Sequence, residues 1–307
     1  MTEIIASVAS IEQAEALMAV GVDTIYAGED YFGLRLPHSF DRTELADLIK
    51  VVHQAGKKIQ VAVNAIFHND RIVHVADYLN YLAAQNVDRV TIGDPGAIRI
   101  LQKEALSLPY WYDGADLVTN SRQVNFWAAH GAQGAVIANE VPYKELQALV
   151  PNLEVPIQIL TYGAANIHQS GRPLLTNYFN YVQTYQDRMD REKGLFISEP
   201  RKPETHYSIY EDINGTHVFA TNDVNLMPRI QAVYDLPITH WFLDGLYADK
   251  IGFVKVAKAF VQARDLLAQG QLTSMIVADL DQIVRANQPQ NREVDTGFFD
   301  IDPADVK

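Results

Sequence analysis

Short apolar runs alternate along the first half of this chain with stretches whose apolar residues recur every three or four positions. Ile4 to Ala6 reads as a strand, and Ser10 caps a periodic stretch of Ile11, Ala14, Leu17 and Met18 that stops at Gly21. Asp23 to Ala27 is the next strand, and Thr43 to Ala55 a helix carrying Leu45, Leu48, Ile49 and Val52. Lys58 to Val63 runs as a strand into Asn64, and Asp70 to Gln85 reads as one helix with Val73, Ala76, Leu79 and Leu82 on a stripe. Asp88 to Ile92 is a strand, Asp94-Pro95-Gly96 opens a helix, and Leu117 and Val118 sit near a strand end. Arg122 to Ala129, Ala135 to Ala138, Pro142 to Val150 and Pro156 to Leu160 continue the alternation. The repeat interval of roughly 20 to 35 residues suits an eight-stranded (β/α)8 barrel. A doubly wound open sheet is the competitor, but no glycine-rich dinucleotide fingerprint follows the first strand.

The rhythm breaks across residues 161–214, a polar, tyrosine-rich stretch predicted to be an insertion on the functional face. Tyr207 to Tyr210 and Thr216 to Ala220 read as a small hairpin within and beyond it. Alternation resumes with Leu226 to Tyr234 as a helix, His240 to Leu243 as a strand and Lys250 to Leu267 as a long helix. The domain expectation is a single barrel over 1–286 including the insertion, with an acidic tail over 287–307 docked through Phe298 and Phe299.

A net charge of −13 disfavours a general nucleic-acid or anionic-membrane binder. The absence of cysteine excludes disulfides, thiolate-held zinc or iron–sulfur clusters and a cysteine nucleophile. With no signal peptide pattern and no long uncharged apolar stretch, the expectation is a cytoplasmic protein without a membrane span.

Ser10-Ile11-Glu12-Gln13-Ala14, Gly21-Val22-Asp23-Thr24-Ile25-Tyr26-Ala27-Gly28, Phe32-Gly33-Leu34-Arg35 and Lys58 to Asn64 follow one another in a familiar order. With Tyr162-Gly163-Ala164-Ala165-Asn166, Ser170-Gly171-Arg172-Pro173 and Gly297-Phe298-Phe299, the chain resembles the collagenase-like peptidase family of unassigned catalytic type. The resemblance implies a TIM-type barrel. It also implies a link to hydroxylation chemistry, on a tRNA wobble uridine with prephenate as an input or on a quinone ring. Those branches carry four cysteines that hold an iron–sulfur cluster. The matching positions here are Asn166, Pro173, Phe196 or its neighbour, and either Pro200 or Asn225, so no cluster is expected on this chain. The family's histidine before the first glycine is matched by Tyr162, and the glutamate of its Glu-Gly-Arg segment by Asp244. The resemblance therefore points to the short, cysteine-free member of a two-protein arrangement, accessory to tRNA uridine hydroxylation beside a longer cysteine-containing paralogue. Contact with tRNA is then expected to be indirect or through the complex, and assembly of identical copies stays open.

A peptidase is the alternative, yet neither a Gly-x-Ser-x-Gly elbow nor a His-Glu-x-x-His motif is present. A non-catalytic interaction protein on a barrel scaffold is the third reading. Barrel sites form where strands end, which selects Tyr26, Glu29, Arg35, Asn64, Tyr162 and Asp244 as ligand-binding candidates. Arg35 could hold a carboxylate or pair with Glu29 or Asp30. Asn64 is either a site amide or a turn-forming residue. Arg172, framed by Gly171 and Pro173, and Arg201, in a basic concentration among nearby acids, complete the set. His68 and His74 read as a solvent-exposed pair. Tyr178, Tyr181, Tyr185 and Phe196 are candidates for a partner interface.

Overall fold

A computed structural model describes residues 2–115 and 118–306. The expectation placed on Leu117 lies outside the described residues. Seven parallel strands come first: β1 (Glu3–Ser7), β2 (Thr24–Ala27), β3 (Lys58–Val63), β4 (Arg89–Ile92), β5 (Tyr110–Asp113), β6 (Ala135–Val136) and β7 (Ile157–Ser170). The hairpin strands β8 (Phe196–Glu199), β9 (Lys202–Asp212) and β10 (Gly215–Asn225) follow, then β11 (His240–Leu243) and β12 (Val294–Asp295). β11 pairs in parallel with β1 on one side and with β7 on the other, closing β1 to β7 and β11 into an eight-stranded barrel. The alternation read from the sequence is thus that of a (β/α)8 barrel, irregular because antiparallel strands are added outside it.

The helices cover the barrel through the apolar stripes that predicted them. Arg42–Gln54 buries Leu45, Leu48, Ile49 and Val52, and its Asp41 and Glu44 form a capping box. Lys250–Ala268 buries Phe253, Val256 and Phe260 against the strands. Two expectations need correction. The stretch Asp70 to Gln85 is two helices, Asn69–Ile72 and Val75–Ala84, because the chain turns at Val73 and His74 before the buried stripe of Val75, Tyr78, Leu79 and Leu82 begins. Leu226 to Tyr234 likewise splits into a 3-10 turn, Met227–Arg229, and a helix, Ile230–Asp235.

The inserted segment starts inside a strand rather than after it. β7 runs on to Ser170, and its outer half pairs antiparallel with β10 from Ser170↔Thr216 to Tyr162↔Asn225. β9 pairs with β10 as the hairpin expected from the sequence. After the hairpin, the chain's last stretch returns to this sheet: β12 pairs with β10, and Phe299 is buried beside Tyr143 at 5.1 Å between ring centroids.

Candidate functional site

At the C-terminal ends of the barrel strands lies a cavity of 610 Å³, bordered by Arg35, Asn64, His68, Arg71, Asp113 and Asn166 among others. It leads to an inner chamber of 70 Å³ between the strands, where Tyr26, Thr91 and Asp244 join Asn64, Asp113 and Asn166. The two spaces share Leu34, Arg35, Asn64, Asp113, Ala115, Asn139 and Asn166, so they form one funnel.

Arg35 reaches the rim from a loop whose backbone is fixed on every side. A Cβ on Gly33 would come within 2.8 Å of the Ala62 Cβ, so only glycine lets the loop lie this close to β3. Arg35 itself has φ of 56°, a left-handed conformation costly for a residue with a Cβ and kept by its surroundings. Asn64 Oδ1 accepts the Leu34 N–H at 2.8 Å. The Asn214 amide donates to the carbonyls of Asp30 at 2.8 Å and Gly33 at 3.3 Å. Arg71 donates to the Tyr31 carbonyl, and Arg191 to the carbonyls of Leu36 at 2.8 Å and Pro37 at 2.7 Å. Held this way, Arg35 Nη1 donates to Gln169 Oε1 at 2.6 Å.

Beneath the rim, Asn64 Nδ2 donates to Asp113 Oδ2 at 2.6 Å and lies 3.5 Å from the Tyr26 hydroxyl. Tyr26 also meets Thr91 Oγ1 at 3.4 Å, and burial, aided by the negative Asp113, pushes its phenol well above the ordinary range. Asp244 follows β11. Its Oδ1 accepts from Ser7 Oγ at 2.9 Å and from the Leu246 N–H at 3.0 Å. Burial raises its carboxyl to about 6 despite those two donors. Asn166 is nine-tenths buried; its Nδ2 donates to the carbonyls of His168 and Val218, and its Oδ1 has no partner.

Four residues selected from the sequence thus meet in the funnel: Tyr26, Arg35, Asn64 and Asp244. Four lie elsewhere. Glu29 turns toward Arg42, with Oε2 4.0 Å from Nε, and burial raises its carboxyl. Tyr162 is fully buried among apolar side chains, its ring 6.1 Å from Phe253. Arg172 and Arg201 are exposed, Arg172 beside the funnel lining residue Gly171 and Arg201 in the turn between β8 and β9. Of the histidine pair, His68 borders the cavity while His74 precedes the second short helix. Asp113, Arg71 and Asn214 were not selected from the sequence. Asp113 was legible as an acid ending the apolar run Tyr110-Trp111-Tyr112 before a glycine. Arg71 and Asn214 gave no such signal, because tertiary folding alone brings them to the rim.

Tyr178, Tyr181, Tyr185 and Phe196 are exposed on the insertion, Tyr181 by 86% and Tyr185 by 88%. No helix of the described residues is long and apolar enough to cross a membrane. The chain has no cysteine, and no group of three or more His, Asp or Glu side chains suited to a metal occurs among the described residues. Asn166, Pro173 and Phe196 supply no thiolate, so a cysteine-ligated cluster does not fit this chain. The Ser170 Oγ accepts from the Arg172 N–H at 3.2 Å, with no histidine bonded to it among the described residues.

A model of Peptidase family U32 matches residues 9–306. tRNA hydroxylation protein P2 of Bacillus subtilis (strain 168) is 32% identical over 286 residues, covering 92% of this chain and 92% of that protein. tRNA hydroxylation protein P1 of the same organism is 27% identical over 310 residues, 98% of this chain but 71% of that protein. Among solved structures, the U32 peptidase Mk0906 superposes with a TM-score of 0.52 at 16% identity, covering 80% of this chain and 92% of its own, an agreement in fold.

Proposed function

This chain belongs to peptidase family U32, and we propose that it acts in the cytoplasm as an accessory subunit in tRNA wobble-uridine 5-hydroxylation, beside a longer cysteine-bearing paralogue. The observation that carries this reading is its similarity to tRNA hydroxylation protein P2 along nearly the full length of both chains, in an organism that also has the longer P1. With no thiolate on this chain, the reading leaves any cluster chemistry to the paralogue. What this chain contributes is a ligand funnel and a docking face. Arg35 at the rim suits a small carboxylate, with Asn64, Tyr26 and Asp244 below it. The exposed Tyr178, Tyr181, Tyr185 and Phe196 suit the paralogue. Residues 1–286 with the insertion would act as one unit, and 287–307 as a strap along it.

The test is deletion of the gene in a strain without a redundant hydroxylation route, followed by mass analysis of tRNA nucleosides. Loss of 5-hydroxyuridine-derived nucleosides, restored by the intact gene, is the expected result. Unchanged nucleosides would reject the reading.

A further inference from the structure

We infer that the inner chamber receives a primary ammonium group, so that the ligand of this site is an amino acid or a similar small zwitterion, held amine inward and carboxylate at the rim. The inference rests on the reading of the funnel as a ligand site and adds the chemical class of what enters it.

Two side chains that border the chamber each carry an acceptor atom with no donor among the described residues. Asn166 Nδ2 is committed to the carbonyls of His168 at 3.2 Å and Val218 at 3.1 Å, which leaves Oδ1 as the buried acceptor without a partner. Flipping the amide would set its oxygen against those carbonyls. Both hydrogen bonds to Asp244 end on Oδ1, so Oδ2 has none among the described residues, while the side chain borders the chamber. Of the two, the Asn166 Oδ1 is buried away from water, which costs about 1–3 kcal/mol that a donor-bearing ligand group recovers. An ammonium brings three donors, enough for these two oxygens and the Tyr26–Thr91 hydroxyl pair; a hydroxyl brings one.

The two ends of the funnel also differ in the charged side chains that border only one of them. Asp244 borders the chamber alone, Arg71, Glu140, His68 and His168 border the outer cavity alone, and Arg35 and Asp113 border both. Arg71 makes its hydrogen bonds to the carbonyls of Tyr31 and Ile213, and its Nε has no partner. Its positive charge therefore meets no carboxylate among the described residues. A ligand with both charges satisfies each end; a simple acid leaves the inner acceptors unmet.

The experiment is calorimetric titration of the full chain with L-leucine and three molecules that each lack one of its groups: leucic acid, isocaproate and isopentylamine. L-leucine is expected to bind at least about tenfold more tightly than each of the other three, the difference one charged hydrogen-bonding group makes. Asp244→Asn is expected to abolish the preference for leucine over leucic acid. Leucic acid or isocaproate binding as tightly as leucine would overturn the ammonium assignment while leaving the carboxylate function of the rim standing. No binding by any of the four would overturn it as well. Neither result bears on the nucleoside analysis of the deletion strain, and the wild-type series decides the question even if the variant does not fold.

Discussion

The Asn64 side chain joins two parts of the funnel that are far apart in sequence: its Oδ1 accepts the Leu34 N–H at 2.8 Å and its Nδ2 donates to Asp113 at 2.6 Å. The amide does both from two separate atoms, whereas an aspartate offers no donor and a leucine offers neither. Asn64→Ala is therefore expected to cost about 1–3 kcal/mol, the penalty for a buried N–H and a carboxylate that lose their partners. Asn64→Asp should cost more, because it sets a second negative charge against Asp113. Urea unfolding of the three proteins checks the order, and an Asn64→Ala variant as stable as the parent would remove Asn64 from this role.

Gly163 fixes the position of Asp244. Its φ is +120°, and a Cβ there would lie 2.4 Å from the Asp244 carbonyl oxygen. Gly163→Ala must displace the strand end that carries Asp244, with an expected loss of about 2–4 kcal/mol. The informative comparison is ligand affinity: the variant should lose binding at the funnel even in the fraction that folds. Full binding by folded Gly163→Ala would contradict the account.

Much of this arrangement was readable from the chain, and what was not has a common cause. Strands such as Lys58–Val63 and helices such as Arg42–Gln54 declare themselves through local period, and Asn64 through an amide at the end of an apolar run. Barrel closure depends on His240–Leu243 lying beside both Glu3–Ser7 and Ile157–Ser170, a pairing no local pattern encodes. Arg71 and Asn214 reach the rim by the same kind of long-range packing, and both act on the carbonyls of the loop before Arg35. The strand beginning at Ile157 looked short because its apolar run stops at Leu160 and polar residues alternate with glycine and alanine from Thr161, although Thr161 to Asn166 stay buried and the strand becomes exposed only from Ile167.

Arg292 ties the last segment to that hairpin. Its Nε donates to Asp223 Oδ1 at 2.7 Å, Nη1 to Ser208 Oγ at 2.6 Å and Nη2 to the Ala220 carbonyl at 2.8 Å, with its guanidinium 4.8 Å from the Tyr247 ring. Both charged side chains are buried, at 5% and 2% exposure. Arg292→Met leaves the buried Asp223 carboxyl without its ion-pair partner, so a loss of about 3–5 kcal/mol is expected. Asp223→Asn in the same chain should recover part of it. Hydrogen exchange across Val294–Asp295 should rise in the single variant, since that strand pairs with Asp223 and Val224. Unchanged exchange there would separate the ion pair from the docking of the tail.

At the opposite end of the barrel, His240 sets the response to acid. Its ring lies 4.5 Å from Trp111 and its Nε2 3.9 Å from Glu3 Oε2. Burial lowers the imidazole to about 4, against the pull of Glu3 and with the help of Arg89 and Lys58. The unfolded chain takes up this proton near 6.5 and the folded one near 4, so between those values the unfolded state binds more protons. Stability therefore falls with pH across that window, by on the order of 3 kcal/mol from this residue. Glu3 adds a loss at lower pH: burial alone would raise it, but Arg89, Lys58 and Thr24 hold it near 2, so its contribution is complete above 4.5 and disappears on the way down to 2. Asp244 acts in the other direction, because its folded value of about 6 exceeds 3.8 and the folded state binds more protons in between. His240→Gln is accordingly expected to flatten the fall in unfolding free energy from pH 6.5 to 4, and Asp244→Asn to steepen it, as measured by urea unfolding across that range. A His240→Gln profile parallel to that of the parent would mean that His240 is protonated in the folded barrel, with Glu3 outweighing its burial.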